Sequence, residues 1–397
     1  MPLVYPKLLV ATEFSPNAGG GGAAIARQML KDWPVEKLFW WSCHPDADQV
    51  FGQRVAGHAV AAIPRKLYPH RRGLRQKSWL LQYFWSPWAA RHFQKAVRSF
   101  QPDAVWVILH KWAIPPIAAA LPATNVGFHV SIHDYPDDRE TVIALGEDFG
   151  RKLAALTDQL YAAAATRDAI SQFMVADLLA RTGAAGTVCH AGLEPEDFQT
   201  LSGPPGKKAP DQIRIAYAGT VSRESTFSLF VQALGAIRPH LPKPVFLELF
   251  SAHSYGDRPW FDASWIRMRG NLPEPQLKLA LRQCHWGFVP MSLAEDDPRH
   301  RLALPTKLVS CLAAGLPVVT LGHPDSSAVK IAAAYGVGLC STETNAETLA
   351  AQLVKALAEP EPGFKFRPAI QQCAANEFDA QRMRAALHEN FRTCAAA

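Results

Sequence analysis

Residues 304–320 read LPTKLVSCLAAGLPVVT, and the pattern of this stretch decides the fold class. Pro305 suits the first turn of a helix because its missing N–H is not needed there, and Gly315 suits the C-terminal end of that helix. The apolar residues 317–321 follow at once and have the length and composition of a buried strand. The stretch therefore predicts a helix that leads directly into a strand of a parallel sheet.

The same alternation of apolar strands and helical patterns extends through the chain. Strands are expected at residues 8–11, 38–42, 104–109, 126–132, 159–164, 187–190, 214–219, 245–251, 265–269, 286–291, 317–321 and 337–340. Helical patterns lie between them at residues 23–31, 79–98, 137–156, 167–181, 226–237, 274–284, 306–314, 326–334 and 346–359. This alternation is typical of parallel sheets covered by helices, so the predicted fold class is α/β.

A stretch rich in glycine and proline, residues 200–211, divides the series. We expect an N-terminal domain over residues 1–200, a C-terminal domain over 201–376 and a helical segment over 377–397. Each domain is predicted to be Rossmann-like and doubly wound, and the two face each other across a cleft. Ligands of such sheets bind beyond the carboxyl ends of the strands, so the cleft is the expected active site.

The composition is that of a well-buried globular protein. Of the 397 residues, 48% are hydrophobic and 19% are charged. No apolar run reaches the ~18 residues that a membrane-spanning helix needs, and the N-terminus lacks a signal-peptide pattern. The seven cysteines are scattered without a CxxC pair, which is typical of buried thiols rather than of disulfides or a zinc site. We therefore expect a cytoplasmic protein.

Four consecutive glycines, residues 19–22, connect the first predicted strand to the first predicted helix. Without Cβ atoms the backbone amides can approach a ligand closely, and a helix start adds partial positive charge. Gly20, Gly21 and Gly22 are therefore candidates for binding phosphate or hydroxyl groups. The alternative is an ordinary surface turn, since neither the dinucleotide fingerprint nor the P-loop pattern is complete.

Two further candidate phosphate sites lie in the second half of the chain. Thr306 and Lys307 combine a hydroxyl group, an ammonium group and a helix start, although an ordinary capped helix is the alternative. Arg223 ends the polar turn YAGTVSR at residues 217–223, where its guanidinium can hold phosphate oxygens as a bidentate donor. A surface arginine is the alternative there.

His133 follows the strand expected at residues 126–132, at the edge where doubly wound sheets bind ligands. We consider it a candidate for hydrogen bonding to the substrate, and a core histidine is the alternative. His129 lies ~13 Å away along the same strand, too far for a shared metal ion, so no metal site is expected. Asp46 and Asp48 are interpreted as part of a solvated loop.

Together these patterns resemble the group 1 (family 4) glycosyltransferases of the GT-B fold. The resemblance rests on the glycine-rich first loop, on YAGTVSRESTFSLFVQAL at residues 217–234 and on the stretch 304–320 quoted above. Residues 156–198 resemble the family's approach to its interdomain linker. NEFDAQRMRAALHENFR at residues 376–392 resembles its final helix, which returns to the N-terminal domain.

The resemblance implies that a nucleotide-diphosphate sugar donates its sugar to a glycan, lipid-linked or small-molecule acceptor, with retention. It implies no tightly bound cofactor or metal. The glycines at 20–22 would line the acceptor side and approach the donor phosphates, and His133 would contact the donor sugar. Arg223, Thr306 and Lys307 would hold the diphosphate.

The chain departs from the family's pattern at several positions of the donor site. The two glutamates of the family's Glu-(x)7-Glu motif correspond to Leu302 and Ser310, so binding of the donor ribose falls to Ser310. The family's usual arginine after the strand's glycine, here Gly219, is replaced by Thr220, and its usual lysine a few residues later has no match. Arg223 is the expected substitute for this pair.

A basic segment without acidic residues lies between Asp48 and Asp103. It contains Arg54, Arg65, Lys66, Arg71, Arg72, Arg75, Lys77, Arg91, Lys95 and Arg98, together with the aromatic residues Trp79, Tyr83, Phe84, Trp85 and Trp88. The resemblance favours peripheral contact with an anionic membrane surface. The alternatives are an acceptor groove with stacked tryptophans and a core helix with solvated arginines, whereas nucleic acid is not expected.

Two other functions are compatible with this fold. One is a nucleotide-sugar epimerase, and the other is a catalytically inactive GT-B protein that binds or scaffolds. A dehydrogenase is disfavoured because neither half carries the dinucleotide fingerprint.

Overall fold

The structure is a computed structural model that describes residues 5–45, 52–67, 74–135, 146–206, 208–221, 224–295, 297 and 301–396. The chain divides into two compact units. Unit 1 comprises Met1–Ala191 and Arg382–Ala397, and unit 2 comprises Gly192–Gln381.

Unit 1 is built on a parallel sheet that has seven strands in the described ranges. The strands are β1 (Leu8–Thr12), β2 (Leu38–Ser42), β3 (Gly57–Val60), β4 (Ala104–Leu109), β5 (Phe128–Ile132), β6 (Thr166–Ala169) and β7 (Thr187–Val188). Their order is β3-β2-β1-β4-β5-β6-β7, so the direction of winding reverses between β1 and β4. Every residue of β1 and β4 is buried, as expected for apolar strands covered on both faces.

Helices of unit 1 connect these strands. They are α1 (Gly21–Met29), α2 (Leu74–Leu80), α3 (Ser86–Phe100), α4 (Ile114–Ala120), α5 (Glu147–Ala163) and α6 (Gln172–Thr182). A π-helical turn, Leu81–Trp85, joins α2 to α3. The predicted single helix at residues 79–98 is thus interrupted by a turn that no periodicity in the sequence indicated.

Unit 2 is built on a second parallel sheet, with six strands in the part of the chain that the structure describes. They are β8 (Ile213–Ala218), β9 (Val245–Phe250), β10 (Ile266–Met268), β11 (Trp286–Pro290), β12 (Val318–Leu321) and β13 (Gly338–Ser341), in the order β10-β9-β8-β11-β12-β13. The helices are α7 (Pro195–Ser202), α8 (Glu224–Ile237), α9 (Glu274–Arg282), α10 (Thr306–Ala313), α11 (Ser327–Tyr335), α12 (Ala346–Leu357), α13 (Pro362–Lys365) and α14 (Arg367–Glu377). Stacked rings of Phe230 and Phe288, with centroids 3.7 Å apart, lie in its core.

The last helix, α15 (Ala380–Ala396), places most of its residues in unit 1. The ring of Phe391 packs on Trp33 and Trp106, with centroids 5.6 and 5.2 Å away. Nε2 of His388 donates a hydrogen bond to the carbonyl of Met29 at 3.0 Å. Gly127 packs so closely on this helix that a Cβ atom there would come within 2.0 Å of a backbone oxygen.

The two sheets confirm the predicted α/β fold class, but one strand was misplaced, and β3, α4, α7 and α14 were not predicted. The strand expected at residues 159–164 belongs to α5, and the strand itself is β6. The run around Leu153, Thr157, Leu160 and Tyr161 buries one face at helical spacing, so the helix continues until Ala163. Expectations for residues 137–145 lie outside the described residues.

The glycine- and proline-rich stretch 200–211 lies within unit 2. The helix α7, whose last residues overlap this stretch, is tied to other parts of this unit, since Lys278 pairs with Asp197 at 2.7 Å. Arg367 also donates from Nε to the carbonyl of Leu201 at 2.8 Å. Near the junction with unit 1, Leu193 forms an isolated parallel bridge with Asp379.

Candidate functional site

Polar side chains of unit 1 lie at the carboxyl edge of its sheet. The strands β2, β1, β4 and β5 are neighbours and run in parallel. Glu13 follows β1, His110 follows β4 and His133 follows β5, while His44 lies two residues after β2. Because carboxyl ends of parallel strands meet at one edge, this is where a doubly wound sheet binds its ligands.

The glycine loop and His133 are brought together at this edge. Gly20 has a φ of 99°, a conformation that favours glycine, and it directly precedes α1. No side chain caps the start of α1. The imidazole of His133 lies against the first turn, because a Cβ atom on Gly22 would be 3.4 Å from its Nδ1. Gly20 precedes the helix, and Gly21 and Gly22 are its first two residues, so all three predicted glycines lie at its start.

His133 is buried, with 6% of its surface exposed, and its Nδ1 makes no hydrogen bond within the described ranges. Burial lowers the pKa of His133 to about 4, and the proximity of His110 acts in the same direction while Asp168 opposes it. The imidazole is therefore neutral near pH 7. A neutral ring can donate a hydrogen bond to a hydroxyl group or accept one from it. Because the ring has no positive charge, it does not repel the partial positive charge of the amides at the uncapped helix start.

A buried carboxylate that the sequence analysis missed connects three of these strand ends. Oε2 of Glu13 accepts hydrogen bonds from Nδ1 of His110 and from the backbone N–H of Trp112, both at 2.9 Å. Oε1 of Glu13 lies 3.3 Å from Nε2 of His44. Burial alone would raise the pKa of Glu13, but the charge and hydrogen bonds of His110 and His44 outweigh it and hold that pKa well below its usual range.

His129, by contrast, has a structural role. Its Nε2 is 2.8 Å from a carboxylate oxygen of Asp168 and its Nδ1 is 2.8 Å from the hydroxyl of Thr166. Both side chains of the His129–Asp168 pair are fully buried. This histidine therefore holds β5 to β6 and does not face a ligand.

In unit 2, the carboxyl end of β8 lies beside the start of α10. The hydroxyl of Tyr217 donates to the carbonyl of Thr220 at 2.6 Å and accepts from Nζ of Lys307 at 3.1 Å. Gly219 has a φ of 105° and lies close to the lysine, because a Cβ atom there would be 4.0 Å from Cε of Lys307. Gly219 and Thr220 are exposed. Two predicted donor-site segments are thus adjacent.

The start of α10 has the properties of an anion-binding helix end. Its N-cap residue, Pro305, provides no side-chain cap, and Thr306 and Lys307 form the first turn, partly exposed. Ser310 lies one turn further along and donates its hydroxyl to the carbonyl of Thr306 at 3.2 Å. An uncapped helix start with an ammonium group beside it attracts phosphate oxygens.

A second cluster that sequence reasoning missed lies just ahead of α10. The buried Arg301 donates from Nη1 to Nδ1 of His323 at 2.9 Å, and Nε2 of His323 donates to Glu295 at 3.0 Å. Arg301 also donates from Nη2 to the carbonyl of Glu295 at 2.5 Å. The position of His323 just after β12, at the carboxyl edge of the sheet, was the available signal.

Several predicted residues lie outside the described residues, namely Arg223, Asp46, Asp48, Arg71 and Arg72. Over the ranges that are described, no group of three or more histidine, cysteine or acidic side chains is arranged to hold a metal ion. Within the same ranges, no helix is both long enough and apolar enough to span a bilayer.

No protein-family model matches the chain, and no curated protein matches it in sequence. Solved structures, however, match it from end to end. The sucrose-phosphate synthase of Thermosynechococcus elongatus has a TM-score of 0.71 at 14% identity, over 99% of this chain and 100% of that one. The chain has the GT-B fold. The predicted fold is therefore confirmed, whereas membership of family 4 stays a prediction.

Two trehalose-phosphate synthases are similar in the same way. The α,α-trehalose 6-phosphate synthase of Burkholderia multivorans has a TM-score of 0.66 at 13% identity, covering 99% of this chain and 98% of that one. The UDP-forming enzyme of Burkholderia xenovorans, solved in complex with glucose-6-phosphate, has a TM-score of 0.63 at 13% identity and covers 97% and 100%. At this identity the likeness establishes the fold alone.

Proposed function

We propose that this protein is a glycosyltransferase that moves a sugar from a nucleotide-diphosphate sugar donor to an acceptor. The observation that carries the proposal is the position of Lys307, at the uncapped start of α10 and tethered to Tyr217 beside Gly219. The full-length match to sucrose-phosphate and trehalose-phosphate synthases supports it.

Unit 2 is the proposed nucleotide-sugar domain. The leaving diphosphate is held by the amides at the start of α10, by Lys307 and Thr306, and by Arg223. Gly219 leaves space for the phosphates because it has no side chain, and Thr220 and Ser310 supply hydroxyl groups. Cationic groups and helix amides offset the charge that develops on the leaving group, so this arrangement works without a metal or another tightly bound cofactor.

Unit 1 is the proposed acceptor-side domain. The start of α1, with Gly20, Gly21 and Gly22, lines the acceptor side in this proposal, and the neutral imidazole of His133 bonds to the transferred sugar. We propose that transfer proceeds with retention, in which the diphosphate itself takes the proton of the acceptor hydroxyl group.

The neighbours indicate which substrates to try first. The Burkholderia xenovorans enzyme is UDP-forming and was solved with glucose-6-phosphate. UDP-sugars and phosphorylated sugars are therefore the first donor and acceptor candidates, followed by glycan and lipid-linked acceptors.

We further propose a cytoplasmic enzyme that contacts an anionic membrane surface peripherally. Trp79, Tyr83, Phe84 and Trp88 are 48–63% exposed. An α-helix turns about 100° per residue, so Trp79 and Trp88 would lie on opposite faces of an uninterrupted helix. The π-helical turn Leu81–Trp85 accommodates one extra residue, so the angle between the two side chains around the helix axis falls from about 180° to about 80°. Aromatic side chains gathered in this way, in a segment without acidic residues, suit a membrane interface.

A thermal-shift screen against UDP, GDP, ADP, TDP and their sugar conjugates tests the proposed function. A ligand that binds only the native state raises the melting temperature, so a positive result needs no knowledge of the acceptor. We expect one nucleotide family to stabilise the wild type and to stabilise Lys307→Ala less. Lys330→Ala is the control, because Lys330 is also a lysine of unit 2 but lies on another helix, α11, and pairs with Asp325 at 3.0 Å.

A binding protein without catalytic activity is the second candidate. It is favoured by Leu302 and Ser310 at the positions of the family's glutamates, and by the hydroxyl of Ser310, which is engaged with the backbone of its own helix. A folded protein that none of the nucleotides stabilises would support this candidate over the transferase.

A further inference from the structure

The pair formed by Glu13 and His110 has a buried end and an exposed end. Only 11% of the Glu13 side chain is exposed, whereas 39% of the His110 side chain is exposed. The carboxylate is therefore shielded from solvent while the imidazole reaches the surface at the carboxyl edge of the sheet. This is the geometry of a buried orienting group that supports an exposed functional group.

The carboxylate decides which nitrogen of His110 is exposed to a ligand. An ionised carboxylate can only accept hydrogen bonds, so Nδ1 of His110 must carry a hydrogen atom and donate it to Oε2. In the neutral ring, Nε2 then carries the lone pair. Among the described residues, Nε2 of His110 makes no hydrogen bond.

The backbone strengthens this arrangement. The N–H of Trp112, two residues after His110, donates to the same oxygen of Glu13 at 2.9 Å. Glu13 thus holds both the imidazole and the short helical turn Lys111–Ala113 that follows it. Because the side chain and the backbone are bound to one carboxylate, the ring of His110 has little freedom to rotate.

Charges around His110 indicate the chemistry of its ligand. Burial lowers the pKa of His110, and so does Lys111, whereas the described anionic groups near the ring, Glu13 and Asp134, raise it; the net pKa is raised. Lys111 offsets part of the negative charge of the two carboxylates, so the described surroundings of the ring carry little net charge. Such surroundings suit a neutral polyol, whose hydroxyl groups donate to lone pairs of imidazole and carboxylate.

We propose that His110 is an acceptor-binding residue, whose Nε2, in the neutral ring, receives a hydrogen bond from a hydroxyl group of a sugar acceptor, and that Glu13 is its positioning residue. This inference rests on the proposed glycosyl transfer. It assigns a sugar hydroxyl group, rather than a phosphate, to this point of unit 1. The neutral His133 is the next imidazole along the same edge, after β5.

Nitrogen-15 NMR of the histidine side chains tests the geometry without any substrate. At a pH above the pKa of His110, we expect its Nδ1–H tautomer in the wild type. Glu13→Gln removes the negative charge that stabilises the imidazolium ion, so the pKa of His110 should fall in this variant. An Nε2–H tautomer, or an unchanged pKa in Glu13→Gln, would overturn the proposed role of Glu13. Among the described residues, the other titratable groups around the ring are His44, Lys111, Asp134 and His133, and they remain in both proteins.

Kinetics with UDP-glucose and glucose-6-phosphate, followed by the other sugars and sugar phosphates if these fail, test the ligand. At a pH above the pKa of His110, we expect His110→Asn and Glu13→Gln to raise the KM for the acceptor about five- to tenfold, as loss of one hydrogen bond to an oriented group predicts. The Kd for the nucleotide should equal that of the His240→Asn control. The acid limb of kcat/KM should move to lower pH in Glu13→Gln.

The outcomes separate this inference from the proposed function. A wild type that neither binds nucleotide nor consumes any donor contradicts glycosyl transfer itself. A wild type that transfers sugar, with His110→Asn showing the same acceptor KM, contradicts the role of His110 alone. His240→Asn changes an exposed histidine of unit 2 and serves as the matched control. Melting temperatures of all variants distinguish lost binding from lost folding.

Discussion

Nζ of Lys307 lies 3.1 Å from the phenol oxygen of Tyr217 and 4.6 Å from the centroid of its ring. Ninety residues separate the two in sequence. The phenol group holds the ammonium group at the start of α10 and also bonds to the carbonyl of Thr220. One tyrosine therefore joins the loop after β8 to the helix start on which the donor proposal depends.

Lys307→Ala should lower turnover by about 100-fold or more, because it removes a cation from the developing charge of the leaving diphosphate. The protein should stay folded, since the side chain is partly exposed. Steady-state kinetics and a melting curve measure both effects. Activity equal to that of Lys330→Ala would remove Lys307 from the diphosphate site.

Tyr217→Phe should have a smaller effect than Lys307→Ala. It deletes the hydroxyl group that accepts from Lys307 and donates to Thr220, while keeping the buried ring. We expect nucleotide affinity to fall by about tenfold or less, since one such hydrogen bond contributes about 1 kcal/mol. Calorimetric titration with the nucleotide found in the screen measures this. A loss larger than that of Lys307→Ala would mean that the phenol itself contacts the donor.

Two glycine substitutions should separate backbone strain from crowding at α1. Gly20→Ala places a side chain at a φ of 99° but in open space, so it should cost about 1–3 kcal/mol of stability. Gly22→Ala brings a methyl group to 3.4 Å from His133 and Phe14, so it should lower activity more than stability. Urea unfolding and kcat of the two variants are compared. If the two variants lose activity in proportion to the stability that each loses, this would argue against a ligand at this helix start.

The folded protein should be less stable at acidic pH than at neutral pH because of His133. Its pKa is about 4 in the folded state, against an ordinary value of 6.5. As the pH falls through this window the unfolded chain binds a proton that the folded chain does not, so stability present above pH 6.5 is progressively lost. The full loss from this group is about 3 kcal/mol, reached below about pH 4, and about 2 kcal/mol of it falls between pH 7 and pH 5. Urea unfolding at pH 7 and pH 5 should show a smaller difference for His133→Asn than for wild type or His240→Asn.

The basic segment should bind anionic vesicles. We expect wild type to sediment with vesicles that contain phosphatidylserine, and the triple reversal of Arg71, Arg72 and Arg75 to glutamate to abolish this. The control changes the exposed Lys243, Lys355 and Lys365 of unit 2 to glutamate. It has the same net charge as the triple arginine variant and should have little effect on sedimentation.

The aromatic residues provide a second measure of membrane contact. Trp79→Ala and Trp88→Ala should each weaken sedimentation at high salt, where charge is screened but apolar contact is not. Wild type that stays in the supernatant under every lipid composition would end the membrane proposal.

The sheets were predictable because their central strands are apolar on both faces, as in β1 and β4. The glycine loop and the start of α10 were predictable as well, because glycine, proline and lysine act locally. The strand β6 was misplaced because the run before it fits a helix as well as a strand, and packing of Leu160 and Tyr161 decides between them.

The Glu13–His110 pair was not predicted because its partners are 97 residues apart. Only the strand order, with β4 beside β1, brings them together. The rule that ligands bind at strand ends pointed to His133 and applied equally to Glu13 and His110, which directly follow their strands. The sequence alone does not show that β1 and β4 are adjacent, and that adjacency is needed to pair Glu13 with His110.

The position of Phe391 has a consequence for how the chain acquires its structure during translation. Unit 2 is continuous, from Gly192 to Gln381, whereas unit 1 needs the segment from Arg382 onwards. The rings of Trp33 and Trp106 lack their Phe391 contacts until that segment has left the ribosome. The core of unit 1 therefore cannot be completed until residues on both sides of unit 2 have been synthesised, although most of unit 1 is synthesised first.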